Sequence, residues 1–353
     1  MAARQAFHAL TLTAVLPAML VASGPASAGT VTQTNLTSDG TVAATVTDPN
    51  LKNPWGISYA PGGAFWVSDN GTGLTTLYNG SGAIQALVVA VPAAGGSGTG
   101  TPTGQVFNPT TDFVVTAGGK SGAATFIFAT EDGTISGWNF SVNPATAIVA
   151  VDRSAQHASY KGVAMVANAG KNFLLATDFH NGTVDVFDAT YTRVSSFRDT
   201  TLSKLYSPYN VAVLNGSIYV TYARVDRARH DSVSGNGKGA IEKVSFSGQV
   251  QARYLHGQLN APWGLALAPA GWGKRAGDIL VGNFGNGWIP TFTPALKPEG
   301  VLKGPGAVPI AIDGLWGLIP GNGGTGGDTS KIYFTAGPND EANGLFGSLS
   351  FSP

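Results

Sequence analysis

Apolar and polar positions along this chain alternate in short blocks, and the blocks repeat. Each of six segments carries an apolar strand, a turn, a second apolar strand ending in a polar loop, and a third strand. The second strands are Phe65-Trp66-Val67-Ser68, Phe126-Ile127-Phe128-Ala129, Phe173-Leu174-Leu175-Ala176, Ile218-Tyr219-Val220-Thr221, Ile279-Leu280-Val281-Gly282 and Ile332-Tyr333-Phe334-Thr335. They are near-continuous runs of β-formers, as expected of strands covered on both faces. No stretch shows the periodicity of an amphipathic helix.

The first strands are entered at Asn53-Pro54-Trp55-Gly56, Pro109-Thr110-Thr111-Asp112, Ser159-Tyr160-Lys161-Gly162, Ser207-Pro208-Tyr209-Asn210, Ala261-Pro262-Trp263-Gly264 and Gly314-Leu315-Trp316-Gly317. The last residues of these entries are spaced by 56, 50, 48, 54 and 53 positions. Such a period suits propeller blades. The pattern predicts an all-β, six-bladed β-propeller as one domain over residues 29–353. The sixth segment ends after its third strand. Its missing outer strand is expected from Val31 to Leu36, paired with Leu345 to Phe351, which closes the ring and removes an exposed edge.

Residues 1–28 read as a signal peptide. Arg4 precedes an apolar run from Ala9 to Ala22, and Ala26-Ser27-Ala28 supplies a small-residue cleavage site. The run is too short for a spanning helix, so the mature chain is expected without a transmembrane segment, exported to the periplasm or the medium, and monomeric. The chain contains no cysteine, which excludes disulfides, thiolate metal sites and a cysteine nucleophile. The 20 basic and 20 acidic residues cancel, leaving no electrostatic case for nucleic acid.

Several stretches are similar to an uncharacterised family of secreted bacterial six-bladed propellers, NHL-like and distantly gluconolactonase-like. They include Asn53-Pro54-Trp55-Gly56, Ser68-Asp69-Asn70-Gly71-Thr72-Gly73, Thr130-Glu131-Asp132-Gly133-Thr134-Ile135, Asp178-Phe179-His180-Asn181-Gly182, Gly314-Leu315-Trp316-Gly317 and Ala336-Gly337-Pro338-Asn339-Asp340-Glu341. The resemblance implies the propeller and export, and carries no reaction with it.

No serine elbow, H-E-x-x-H or complete P-loop occurs; Gly119-Lys120-Ser121 lacks the upstream glycine of the last. Candidate chemistry comes from geometry. Loops entering first strands and leaving second strands share one face of a propeller, where ligands usually bind. On that face the sequence puts Asp69, Asn70, Lys161, Asn283 and Glu341 as ligand-binding candidates. Asp112, Glu131, Asp178 and Asn210 are candidates for a divalent metal, Ca²⁺ or Mg²⁺ by their oxygen donors. Asp112 and Asn210 stand out because the other four entries end in Gly. Asn210 after Pro208-Tyr209 resembles the metal-binding entry of gluconolactonase-like propellers.

Asp and Asn before Gly also form turns without any ligand. His180, and His230 beside Asp231, are candidate proton acceptors; the loop holding the pair is the most charge-dense stretch of the chain. Trp55, Trp263 and Trp316 recur at one position and are read as packing residues. Three functions stay open: a binding or scaffold propeller for a small molecule or an extracellular component, a metal-dependent lactonase or esterase, and a carbohydrate- or envelope-binding protein.

Overall fold

A computed structural model describes residues 29–353; the leader expected over residues 1–28 lies outside them. Six four-stranded antiparallel sheets make the propeller, the last extended by a short fifth strand. In the first five blades the strands run in chain order from the axis outward. Their innermost strands are Pro54–Ser58, Pro102–Phe107, Tyr160–Asn168, Tyr206–Leu214 and Pro262–Leu267. The sixth runs Leu315–Pro320, Ile332–Ala336, Leu345–Ser352 and then Thr30–Ser38. Val31 lies opposite Phe351 and Gln33 opposite Leu349, with a bulge between Asn35 and Thr37. Val31 is buried in this seam.

The second strands Phe65–Asp69, Phe126–Thr130, Ile279–Asn283 and Ile332–Ala336 are buried along their whole length. Their faces pack against neighbouring blades, which explains the lost alternation. The outer strand Arg193–Phe197 is instead almost wholly exposed. Threonine hydroxyls tie inner strands to their neighbours: Thr335 donates to Trp55 O at 2.6 Å, Thr103 to Tyr160 O at 2.7 Å and Thr177 to Tyr209 O at 3.2 Å. No helix among the described residues is long and apolar enough to cross a membrane.

The structure corrects the second blade. Its inner strand is Pro102–Phe107, not the stretch after Asp112, and it pairs with Phe126–Thr130. The segment from Asn108 onward turns and forms an inserted hairpin, Val114–Ala117 with Lys120–Ala123. β-branched residues in that hairpin imitate a blade strand. Asn108 holds the turn, its amide donating to Asp112 O and Ala124 O at 3.0 and 2.8 Å. The repeated column therefore reads Gly56, Gly104, Gly162, Asn210, Gly264 and Gly317. Inner strands approach so closely here that a Cβ on Gly56 would sit 2.4 Å from Thr103 O, and one on Gly317 2.7 Å from Trp55 O.

Candidate functional site

The residues before the column positions are Trp55, Thr103, Lys161, Tyr209, Trp263 and Trp316, and all but Thr103, whose hydroxyl bonds Ala129 O and Tyr160 O, gather at the axis. Four of these aromatics, with Phe179 and Phe284 from second-strand exits, form one cluster. Trp55 stacks on Trp316 with ring centroids 3.5 Å apart, and Phe284 stacks on the same Trp316 at 4.2 Å. Trp263 meets both tryptophans edge-on. The recurrent tryptophans thus do pack, and the packing is a plug across the axis.

Lys161 is the one charged member of this ring and is buried. Its ammonium lies 5.2 Å from the Trp55 ring centroid and 5.7 Å from that of Phe179. It pairs with Glu131 Oε1. Burying an ammonium is tolerable only with such a partner. Asn70 Nδ2 donates to the other Glu131 oxygen at 2.8 Å. Asn53 Nδ2 donates to Asn70 Oδ1 at 3.3 Å and to Glu341 Oε2 at 2.7 Å, while Trp316 Nε1 donates to Asn53 Oδ1 at 3.0 Å. A continuous polar chain therefore links blades six, one, two and three above the aromatic plug.

Blade four adds the loop after Arg224. Arg229 pins it, donating to His180 O at 2.7 Å, Lys204 O at 3.0 Å and Ser207 Oγ at 2.6 Å. The Asp226 carboxylate accepts from His230 N and Asp231 N. So held, His230 and Asp231 reach Glu131: one donor atom from each of the three lies within 4.8 Å of the others. His230 Nδ1 and Asp231 Oδ1 are 3.1 Å apart.

The two mouth glutamates are driven in opposite directions. Burial pushes Glu131 upward, but the Lys161 ammonium and the hydrogen bonds from Lys161 and Asn70 hold it below the usual carboxylate range. Burial raises Glu341, and the nearby Glu131 charge adds to the rise against the Asn53 hydrogen bond. Glu341 sits in an unusual backbone: Asn339, Asp340 and Glu341 have φ of 57°, 50° and 67°. Three successive non-glycine residues in the left-handed region store strain, which tends to gather at functional sites.

Of the residues singled out by sequence, the structure brings together Asn70, Glu131, Lys161, His230, Asp231 and Glu341. It separates the rest. Asp112 lies by the inserted hairpin on the opposite face, where its carboxylate accepts from Asn172 at 2.8 Å. Asn210 is buried, and its amide donates to Trp263 O at 2.8 Å, joining blades four and five. Asp178 is also buried, accepting from Ser159 N and from the Asn181 backbone and side chain. Asn283 occupies the same position in blade five, accepting from Asn260 N and donating to Gln258 O. Asp69 is wholly buried with Thr76 as its donor, and burial raises it well above the usual range. His180 lies outside the Glu131 cluster, its ring 5.9 Å from that of His157. Four metal-ligand candidates therefore do not form one shell. Asn53 was expected on this face as an entry-loop residue, while Tyr209, Phe179 and Phe284 are the mouth residues that sequence reasoning passed over; Tyr209 stands in its blade entry where Trp55, Trp263 and Trp316 stand in theirs.

No family model matches the chain. Uncharacterized protein R648 of Acanthamoeba polyphaga mimivirus is 31% identical over 339 residues, which span 92% of this chain and 82% of that protein. Uncharacterized protein L690 of the same virus is 30% identical over 324 residues, spanning 89% of this chain and 84% of its own length. Among solved structures, a catalytically inactive virginiamycin B lyase from Staphylococcus aureus with quinupristin superposes with a TM-score of 0.54 at 14% identity, covering 91% of this chain and 99% of the other. A glucose dehydrogenase gives a TM-score of 0.53 at 12% identity, covering 90% of this chain and 99% of the other. Likeness at that identity concerns the fold alone.

Proposed function

The chain belongs to the family of the mimivirus uncharacterized protein R648, and on that premise we propose that it is an exported binding propeller whose mouth takes a small cationic ligand. The observation that carries this reading is the balance of charge above a sealed aromatic floor. Glu131, Glu341 and Asp231 converge there from three blades, and the Lys161 ammonium beneath them is committed to Glu131. An amine or a metal cation meets more negative than positive charge at this rim. Restrained side chains limit the ordering cost of binding: Arg229 anchors one wall and Asn53 ties together two others.

A second reading, a metal-dependent lactonase or esterase, is favoured by one specific feature, the Glu131–His230–Asp231 cluster. Its donors are two carboxylates and an imidazole. That set suits Zn²⁺ or Mn²⁺ better than the all-oxygen shell that pointed to Ca²⁺ or Mg²⁺. A metal held there would activate water as a nucleophile, while Glu341 offers a carboxyl of raised proton affinity beside it.

Calorimetric titration of chelator-treated protein with putrescine, Ca²⁺, Mg²⁺, Mn²⁺ and Zn²⁺, followed by a lactone and ester panel, separates the two. Saturable binding of putrescine or an ion without turnover, weakened at least tenfold in Glu131→Gln and Asp231→Asn, supports the binding propeller. Turnover that requires the ion and disappears in His230→Ala supports the hydrolase. Absence of binding by all five overturns both.

A further inference from the structure

A second cavity lies at the other end of the axis. It is about 310 Å³ in volume, and all six inner strands line it. The aromatic plug closes it on the mouth side, where Trp263 belongs to both plug and wall. Beyond the glycine column every blade contributes at least one half-buried aliphatic residue to the lining, among them Ile57, Val106, Met165, Val213, Leu267 and Ile319. Not one charged residue lines the space.

The polar side chains of the wall are already engaged. Gln105 Nε2 donates to Gly56 O and Trp66 O, both at 2.9 Å, and Ser58 Oγ donates to Gln105 Oε1 at 3.2 Å. Asn210 donates to Trp263 O at 2.8 Å, and Trp263 Nε1 to Lys161 O at 3.0 Å. Gly56 O and Trp263 O, two carbonyls of the channel, are thereby capped.

At about 30 Å³ per molecule the cavity of ≈ 310 Å³ has room for roughly ten waters. Those waters find few free side-chain partners, so their displacement by apolar atoms breaks few hydrogen bonds to side chains. A charged ligand would lose its hydration and find no residue of opposite charge in the lining.

We propose that this axial cavity is a ligand site distinct from the mouth, and that its occupant is the uncharged aliphatic tail of a single amphiphile. The tail enters from the face opposite the mouth and ends against the aromatic plug; the polar head remains at the opening. The volume fits a medium-length chain, and the closed end sets a maximum length. This site does not depend on the cation-binding reading, because no mouth carboxylate lines it.

The test is calorimetric titration of the full mature protein with hexan-1-ol, octan-1-ol and decan-1-ol. Affinity is expected to rise about fourfold per added methylene while the tail is still burying itself, then to level off when the chain outruns the cavity. Met165→Trp fills the space and should abolish binding, with an unchanged circular dichroism spectrum. Ile319→Ala enlarges it and should move the plateau to a longer chain. No saturable binding of any alcohol to the wild type overturns the proposal. So does an affinity series that rises identically in folded Met165→Trp, which would mean partitioning onto the surface. Should Met165→Trp not fold, Ile319→Ala decides: an unmoved plateau overturns the site, and a shifted plateau supports it.

Discussion

Replacing Lys161 by Met removes the ammonium from the mouth while keeping most of the stem that packs on Trp55 and Phe179. Glu131 then stays largely enclosed, with Asn70 as its one remaining side-chain donor. Removing one partner of a buried pair costs about 3–5 kcal/mol. Glu131 keeps some contact with water, so the lower end, about 3 kcal/mol, applies at neutral pH. For a domain of about 325 residues the unfolding entropy near 2.1 cal/mol/K per residue turns this into a melting decrease of about 4–5 °C.

The loss carries a signature in pH. In the wild type Glu131 is held below its ordinary value, so its contribution is present above the unfolded pKa and is lost as pH falls through the depressed folded one. Without Lys161, burial, the largest influence on Glu131, is opposed only by the Asn70 hydrogen bond and the weaker pull of His230, and the folded pKa should move above the unfolded value. The variant therefore loses stability as pH rises through the interval between them, and the gap to the wild type narrows on acidification. Urea unfolding at pH 7.5 and pH 4.5 measures both gaps, and Glu131→Gln combined with Lys161→Met should recover part of the loss. Equal stability of Lys161→Met and wild type at pH 7.5, or a deficit unchanged at pH 4.5, refutes the reasoning.

Deleting Gly29 to Thr37 should bare the edge of Leu345–Ser352 and produce aggregates by size-exclusion chromatography. Gly317→Ala forces a Cβ against Trp55 O and Thr335 Oγ1, and should cost about 1–3 kcal/mol in denaturant unfolding. Arg229→Ala frees the loop carrying His230 and Asp231, so limited proteolysis should cut it faster while the melting temperature moves little. Asp112→Ala should leave ligand affinity at the mouth unchanged by calorimetry, because its partner Asn172 lies on the opposite face. Mass spectrometry of exported protein should find Gly29 at its N-terminus.

Five first strands, all six second strands and the N-terminal partner of the last blade were legible in the sequence, because each is a run of β-formers that buries itself between neighbours. The second blade was misaligned because Val114 and Val115 of an inserted hairpin look like blade strand, whereas the true entry, Pro102-Thr103-Gly104, carries a small threonine where other blades show large side chains. The polar rim was legible as a group but not residue by residue. Asp and Asn at strand exits have side chains short enough to accept from nearby amides, as Asp178, Asn283 and Asp132 do. Glutamate is one methylene longer, and at the same exits Glu131 and Glu341 reach inward to partners on other blades. Composition alone treats the two kinds of acid alike; at the short second-strand exits reach divides them into turn formers and site formers, whereas Asp231 arrives on the longer loop of blade four.

The seam between the first and last blades has a consequence for timing. Asn53, early in the chain, receives Trp316 Nε1 and donates to Glu341, both contributed by the final blade. The same blade stays unfinished until Thr30–Ser38 lies beside Leu345–Ser352. One wall of the mouth is thus assembled by the event that shuts the ring. A chain released before residue 341 holds Glu131, Lys161, His230 and Asp231, yet has neither Glu341 nor the partner of its first strand, Leu345–Ser352. On the proposed binding function, ligand capture at the mouth would report that the last blade has been delivered, and truncated products would identify themselves by failing to bind.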